Sequence, residues 1–165
     1  MQLTRLTRQE ILKLSVSVMY IGLLVDLGGA ALFYLVGQFL RSQGIITLVP
    51  AESLDMLGYG LLAVSAAEIA TIVVLKRRWI SARSPQLRSI RKREVFYRQL
   101  KLMFAILFLV ALTPALYGFL YFVLGGTETL FILLIVATMI GYMLIRVRPN
   151  DLQKSIGSIE LEDPE

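Results

Sequence analysis

Four long apolar stretches alternate with short charged segments, and their lengths predict four membrane-crossing helices over residues 14–40, 54–75, 100–124 and 129–145. Each lies within or above the roughly 17–25 residues that carry an α-helix across a bilayer core. The first is longer than a crossing needs, so tilt or a projecting end must absorb the excess. Residues 1–13 read as a polar lead with Leu3, Leu6, Ile11 and Leu12 among its charges, one or two amphipathic turns at the membrane surface. Pro50 falls near the first turn of the second helix, with Glu52 and Asp55 where acids favour a helix N-terminus. In the third, the Thr113-Pro114 step removes a backbone hydrogen bond and predicts a kink. Gly125-Gly126 predict its end and Thr127 a cap for the fourth helix, which makes the last two an antiparallel hairpin. Between Gln86 and Phe104 there is neither Gly nor Pro, so a cytoplasmic helical extension should run unbroken into the third span, with Glu94 pairing Arg98. The segment 150–165 carries four acids among its last six residues and reads as a disordered acidic tail behind a four-span domain, 1–149. The fold class expected is all-α, a four-helix transmembrane bundle.

Composition removes the soluble alternative. Hydrophobic residues make up 56% of the chain and charged ones 18%, and the charges are gathered between the apolar runs, as in a chain whose solvent is mostly lipid. Ten Lys or Arg and one acid lie between Lys76 and Lys101, among them Lys76, Arg77, Arg78, Arg91, Lys92 and Arg93. Short loops dense in Lys and Arg stay on the cytoplasmic side, so this segment orients every apolar run beside it. Arg5, Arg8, Lys13, Arg146, Arg148 and Lys154 fall on the same side, leaving Arg41 alone for the other. The expectation is therefore a multi-pass protein of the plasma (inner) membrane with both termini cytoplasmic, its basic loop against anionic lipid headgroups rather than nucleic acid. The first apolar run is too long for a signal-peptide core and reads as a retained span. Absence of Cys and His removes disulfides, thiolate nucleophiles, His-ligated metal and imidazole chemistry, and no cofactor or metal is expected.

Two acids inside spans are the candidate chemistry. Asp26 lies near the middle of the first, where a charge costs about 2.5–3.5 kcal/mol. Its helical neighbours Gly22, Gly29, Ala30 and Gly37 form a face that another helix could approach closely. Glu68 lies in the second span, about 12 Å deep from Lys76, with Ser65 and Thr71 placed to hydrogen-bond it. A depth difference of roughly 8 Å between the carboxylates argues against direct pairing. Each acid is either a hydrogen-bonded helix joint or an ion or proton site. Ala63 and Ala67 belong to a small-residue face of the second span that should meet the small face of the first. Tyr117, Tyr121 and Phe122 read as an aromatic belt at the membrane interface.

Pro114, Ala115 and Gly118, followed by Gly125 and Gly126, resemble the Pro-Ala-x-x-Gly step and Gly-Gly end in the third helix of small uncharacterised bacterial four-helix integral membrane proteins. The resemblance implies a fold and no activity. With no nucleotide loop, metal cluster or nucleophile constellation, the function expected is not enzymatic. The leading expectation is a subunit or assembly partner of a membrane complex, homo-oligomeric or joined to another membrane protein. The alternative is a proton- or Na⁺-coupled oligomeric carrier working through Asp26 and Glu68.

Overall fold

The computed structural model describes residues 3–44, 51–79, 92–156 and 160–162. Helices dominate: α1 (Arg8–Gly22), a π-helical turn (Leu23–Gly28), α2 (Gly29–Ser42), α3 (Ala51–Trp79), α4 (Arg93–Ala111), α5 (Thr113–Val123), α6 (Glu128–Ile145) and α7 (Pro149–Ile156). Four helical stretches are long and apolar enough to cross a membrane: Arg8–Ser42, Leu54–Trp79, Arg93–Val123 and Glu128–Ile145.

The first stretch starts earlier than its apolar core. Thr7 caps α1 in a reciprocal box, its hydroxyl accepting the Glu10 N–H while the Glu10 carboxylate accepts the Thr7 N–H at 2.8 Å. Most of the polar lead is thereby drawn into the helix, with Leu6, Ile11 and Leu14 buried. The kink expected in the third stretch is present as a break at Leu112, between α4 and α5, with Pro114 in the first turn of α5. At the other end of α5, Gly125 takes φ 99°, and the N–H groups of Gly126 and Gly125 donate to the carbonyls of Tyr121 and Phe122. That Schellman closure needs a left-handed residue, which glycine adopts without a Cβ penalty.

Several expectations are corrected. Residues 150–156, read as the start of a disordered tail, lie in α7 (Pro149–Ile156), because Leu152 and Ile156 stand one turn apart and bury against Leu6, Ile11, Leu14 and Val147. Beyond it a strand, Glu160–Glu162, pairs antiparallel with Leu3–Arg5 in the register Leu3↔Glu162. The helix before the third span begins at Arg93, with Lys92 as its N-cap. Arg91 and the rest of 80–91 lie outside the described residues, as do Pro50 and the loop 45–50. Glu94 makes no ion pair with Arg98; Arg93 instead reaches across to Glu10 at 2.6 Å.

The cross-contacts fall into two groups. In one are the Glu10–Arg93 pair, the Ser15 hydroxyl donating to the Val147 carbonyl at 3.3 Å, and Lys76 Nζ donating to the carbonyls of Leu144 and Arg146 at 3.0 and 3.1 Å. Lys76 thus closes the C-terminal end of α6, where a cation complements the exposed carbonyls and the helix dipole. In the other, Glu128 at the start of α6 accepts from Gln38 Nε2 at 2.9 Å and from Arg41 at 3.1 Å, with Arg41 also over the Phe122 ring at 5.5 Å.

The hairpin of α4, α5 and α6 is the centre of the structure. α1, the π turn and α2 pack against it, and so does α3. The small faces of the first two stretches therefore do not meet. Gly22 lies under the Phe108 ring, Gly29 against Leu112, and Gly37 against Phe122 and Phe131, while Ala30 is buried beside Ala115. Side chains of the hairpin, the rings of Phe108, Phe122 and Phe131 at Gly22 and Gly37 and Leu112 at Gly29, fill the space the glycines leave. Ala63 and Ala67 on α3 are exposed, together with Gly60 and Ala70.

Candidate functional site

Asp26 sits within the π turn, where six residues, Leu23–Gly28, take the wider i→i+5 path before Gly29 restores the α-helix. The turn packs against α4 and α6, and Asp26 is 0% exposed. Neither carboxyl oxygen finds a hydrogen-bond donor among the described residues. A helix joint would need such a donor, so the described geometry gives Asp26 no joining role. What it leaves is an isolated acid in an apolar layer, available to a proton or a small cation.

Glu68 occupies a different setting. It projects from α3 onto the break between α4 and α5, half-buried, and both oxygens are engaged: Oε1 contacts the Tyr117 hydroxyl at 2.7 Å and Oε2 the Thr113 hydroxyl at 2.7 Å. Ser65 and Thr71, expected as its partners, are not. Their hydroxyls donate to the carbonyls of their own helix, Ser65 to Leu61 at 2.7 Å and Thr71 to Ala67 at 2.8 Å. A hydroxyl in a helix interior takes the carbonyl one turn back when no better acceptor is within reach.

Thr113 and Tyr117 were the partners that reasoning along the second span could not supply. A signal was present nonetheless. They stand at i and i+4 on one face of α5, where two hydroxyls one turn apart offer donors to an acid on a neighbouring helix. The remaining aromatic residues do not form a belt. Tyr121 is fully buried beneath Gly126, its hydroxyl accepting the Thr127 N–H at 3.0 Å, and Phe122 stacks on Phe131 with centroids 4.8 Å apart.

Asp26 and Glu68 are not brought together. Each packs on the central hairpin from its own helix, and Glu68 spends both oxygens on α5. No group of three or more metal-ligating side chains occurs among the described residues. Among the basic residues, Lys76 and Arg77 line a cleft of about 260 Å³ with Arg148, Asp151 and Leu152, while Arg78 is exposed. None of the family models, curated proteins or solved structures compared with this chain matches it.

Proposed function

We propose that this is a non-catalytic subunit or assembly partner of a membrane complex, a four-helix bundle in the plasma (inner) membrane with both termini cytoplasmic. The observation that carries the reading is the outward face of α3. Gly60, Ala63, Ala67 and Ala70 follow one another along it, exposed, and nothing lies within 4 Å of where a Cβ on Gly60 would stand. Lipid gains nothing from small residues there, whereas another helix does, because small side chains let backbones approach and maximise dispersion contact. On the first stretch Gly22 and Gly37 are already filled by rings of the same chain and Gly29 by Leu112, whereas the run of small residues along α3 is uncovered. The clustering of Lys76, Arg77 and Arg148 about one cleft fits the cytoplasmic, anionic side of the bilayer.

The chain has no cysteine, which makes the test direct. A single cysteine placed as Ala63→Cys or Ala67→Cys should cross-link to a neighbouring chain in native membranes, and Leu24→Cys, exposed on the first stretch, should not. Ala67→Leu should reduce the native assembly to a smaller species without unfolding it. Cross-linking no stronger at α3 than at Leu24 would remove the reading.

The alternative reading, a proton- or Na⁺-coupled carrier, draws on one observation: Asp26 is wholly buried with no donor among the described residues. Acids held inside membranes at such cost commonly mark ion or proton paths.

A further inference from the structure

Two helix ends and the start of a third meet at one level of the bundle. α3 closes on Lys76, Arg77, Arg78 and Trp79, α6 stops at Ile145, and Arg148 immediately precedes α7. Because two long apolar stretches end there, this level is a boundary between hydrocarbon and headgroups, the depth at which the partly buried Trp79 belongs. The cleft of about 260 Å³ opens at this boundary.

Its lining has two parts of different chemistry. Phe104, Val147 and Leu152, all buried, supply an apolar wall. Lys76, Arg77 and Arg148 bring three positive charges against the single negative charge of Asp151, so two are in excess. Asp151 has a structural reason to be present, since an acid in the first turn of α7 complements the helix dipole.

The cations stand on a fixed backbone. Lys76 donates to the Leu144 and Arg146 carbonyls at 3.0 and 3.1 Å, which leaves the third hydrogen of its ammonium group. The Arg148 carbonyl accepts from the N–H groups of Asp151 and Leu152. Arg77 and Arg148 are exposed, and among the described residues neither guanidinium makes an ion pair or hydrogen bond. A guanidinium in that condition suits a phosphate, which it meets through two parallel hydrogen bonds.

We propose that this cleft is a binding site for the phosphate group of an anionic lipid, one molecule per chain. Arg77 and Arg148 hold the phosphate oxygens, and Lys76 adds its remaining N–H. The apolar wall takes the glycerol and the start of the acyl chains. Val74 and Leu144, exposed just inside the boundary, continue that apolar surface toward the hydrocarbon. The volume falls below the roughly 300–1,000 Å³ of pockets that enclose a drug-sized ligand, so the cleft takes a headgroup and leaves the chains in the bilayer. A soluble phosphate ester shares the phosphate chemistry, but it has no use for the apolar wall or for the depth at the boundary. Such a site rests on the reading of this end as a membrane surface bearing anionic lipid, and needs no assembly through α3.

Native mass spectrometry of the purified protein, in uncharged micelles doped with phosphatidylglycerol or phosphatidylcholine, tests it. Wild type should retain one phosphatidylglycerol and release phosphatidylcholine. Arg77→Gln with Arg148→Gln should weaken retention by about tenfold or more. The charge-matched pair Arg78→Gln with Arg98→Gln, both exposed and outside the cleft, should leave it unchanged. Asp151→Asn should strengthen it, a gain that a misfolded variant could not show. Equal losses from the two pairs, no loss from the first, or equal retention of phosphatidylcholine overturns the site. Glycerol phosphate should displace the lipid only in large excess; displacement at equal concentration would assign the cations to a soluble ester and overturn the lipid. In micelles orientation plays no part, so failure here leaves the cytoplasmic placement and the assembly reading standing.

Discussion

Asp26→Val is expected to leave the fold intact and raise its stability by about 1–3 kcal/mol, the usual cost of a buried polar group without a compensating hydrogen bond. Valine is close to aspartate in size and removes both unpartnered oxygens while leaving no hydrogen bond to be missed. The sign is what matters. An acid that joined two helices would be missed on replacement, and its former donors would be left unsatisfied at a comparable cost. Reversible unfolding in mixed micelles, wild type against Asp26→Val, measures the difference. A destabilised variant would restore the joint and contradict the isolated acid. The companion readout is proton flux into liposomes holding a pH dye. Flux present in the wild type and abolished in a folded Asp26→Asn variant selects the carrier reading, since an acid kept at the expense of stability is being kept for its chemistry. Background flux in both selects the assembly reading.

Gly22→Ala is expected to destabilise by about 1–3 kcal/mol, against a helix-propensity gain of about 1 kcal/mol in the other direction. The overlap decides the contest. A Cβ at Gly22 would run into the Phe108 ring, which is fully buried and flanked by Phe104 and Tyr142 with centroids 6.3 and 6.0 Å away, so displacing it disturbs packed neighbours. Gly28→Ala is the control: nothing lies within 4 Å of its Cβ position, and there the propensity gain should show undiminished. A double variant with Phe108→Leu should recover part of the Gly22→Ala loss, with a coupling of about 0.5–3 kcal/mol. Equal effects at Gly22 and Gly28, or no coupling to residue 108, would mean that the ring does not press on the first stretch.

Legible in the sequence is the property that hydropathy reports: how many stretches are apolar and long enough to cross. The break beside Pro114 and the closure at Gly125 and Gly126 are equally legible, because each follows from backbone chemistry within a few residues. Which faces meet is not. Along the chain, the glycines of the first span and the alanines of the next are indistinguishable as small-residue surfaces. Yet Gly22 and Gly37 accommodate rings while Ala63 and Ala67 stay uncovered, a distinction set by partners such as Phe108 and Phe131 that lie far along the chain. The π turn at Asp26 leaves no mark in composition, since it is a change of hydrogen-bond partner and not of residue type. The helix Pro149–Ile156 is hidden by the acids around it, which outweigh a single apolar pair one turn apart. Glu68 stands out as a candidate and its partners do not, since reasoning within one helix offers only that helix's own hydroxyls.

The bilayer as solvent of the four long helices, with the basic residues marking its cytoplasmic face, is tested most directly by single cysteines in a chain that has none of its own. The two positions are Gln43→Cys at the end of α2 and Asn150→Cys in α7, probed with a membrane-impermeant maleimide on intact spheroplasts. Position 43 should label from outside and position 150 only after permeabilisation. Labelling of position 150 in intact spheroplasts would contradict the orientation, and with it the placement of the termini and of every basic residue assigned to the inner face.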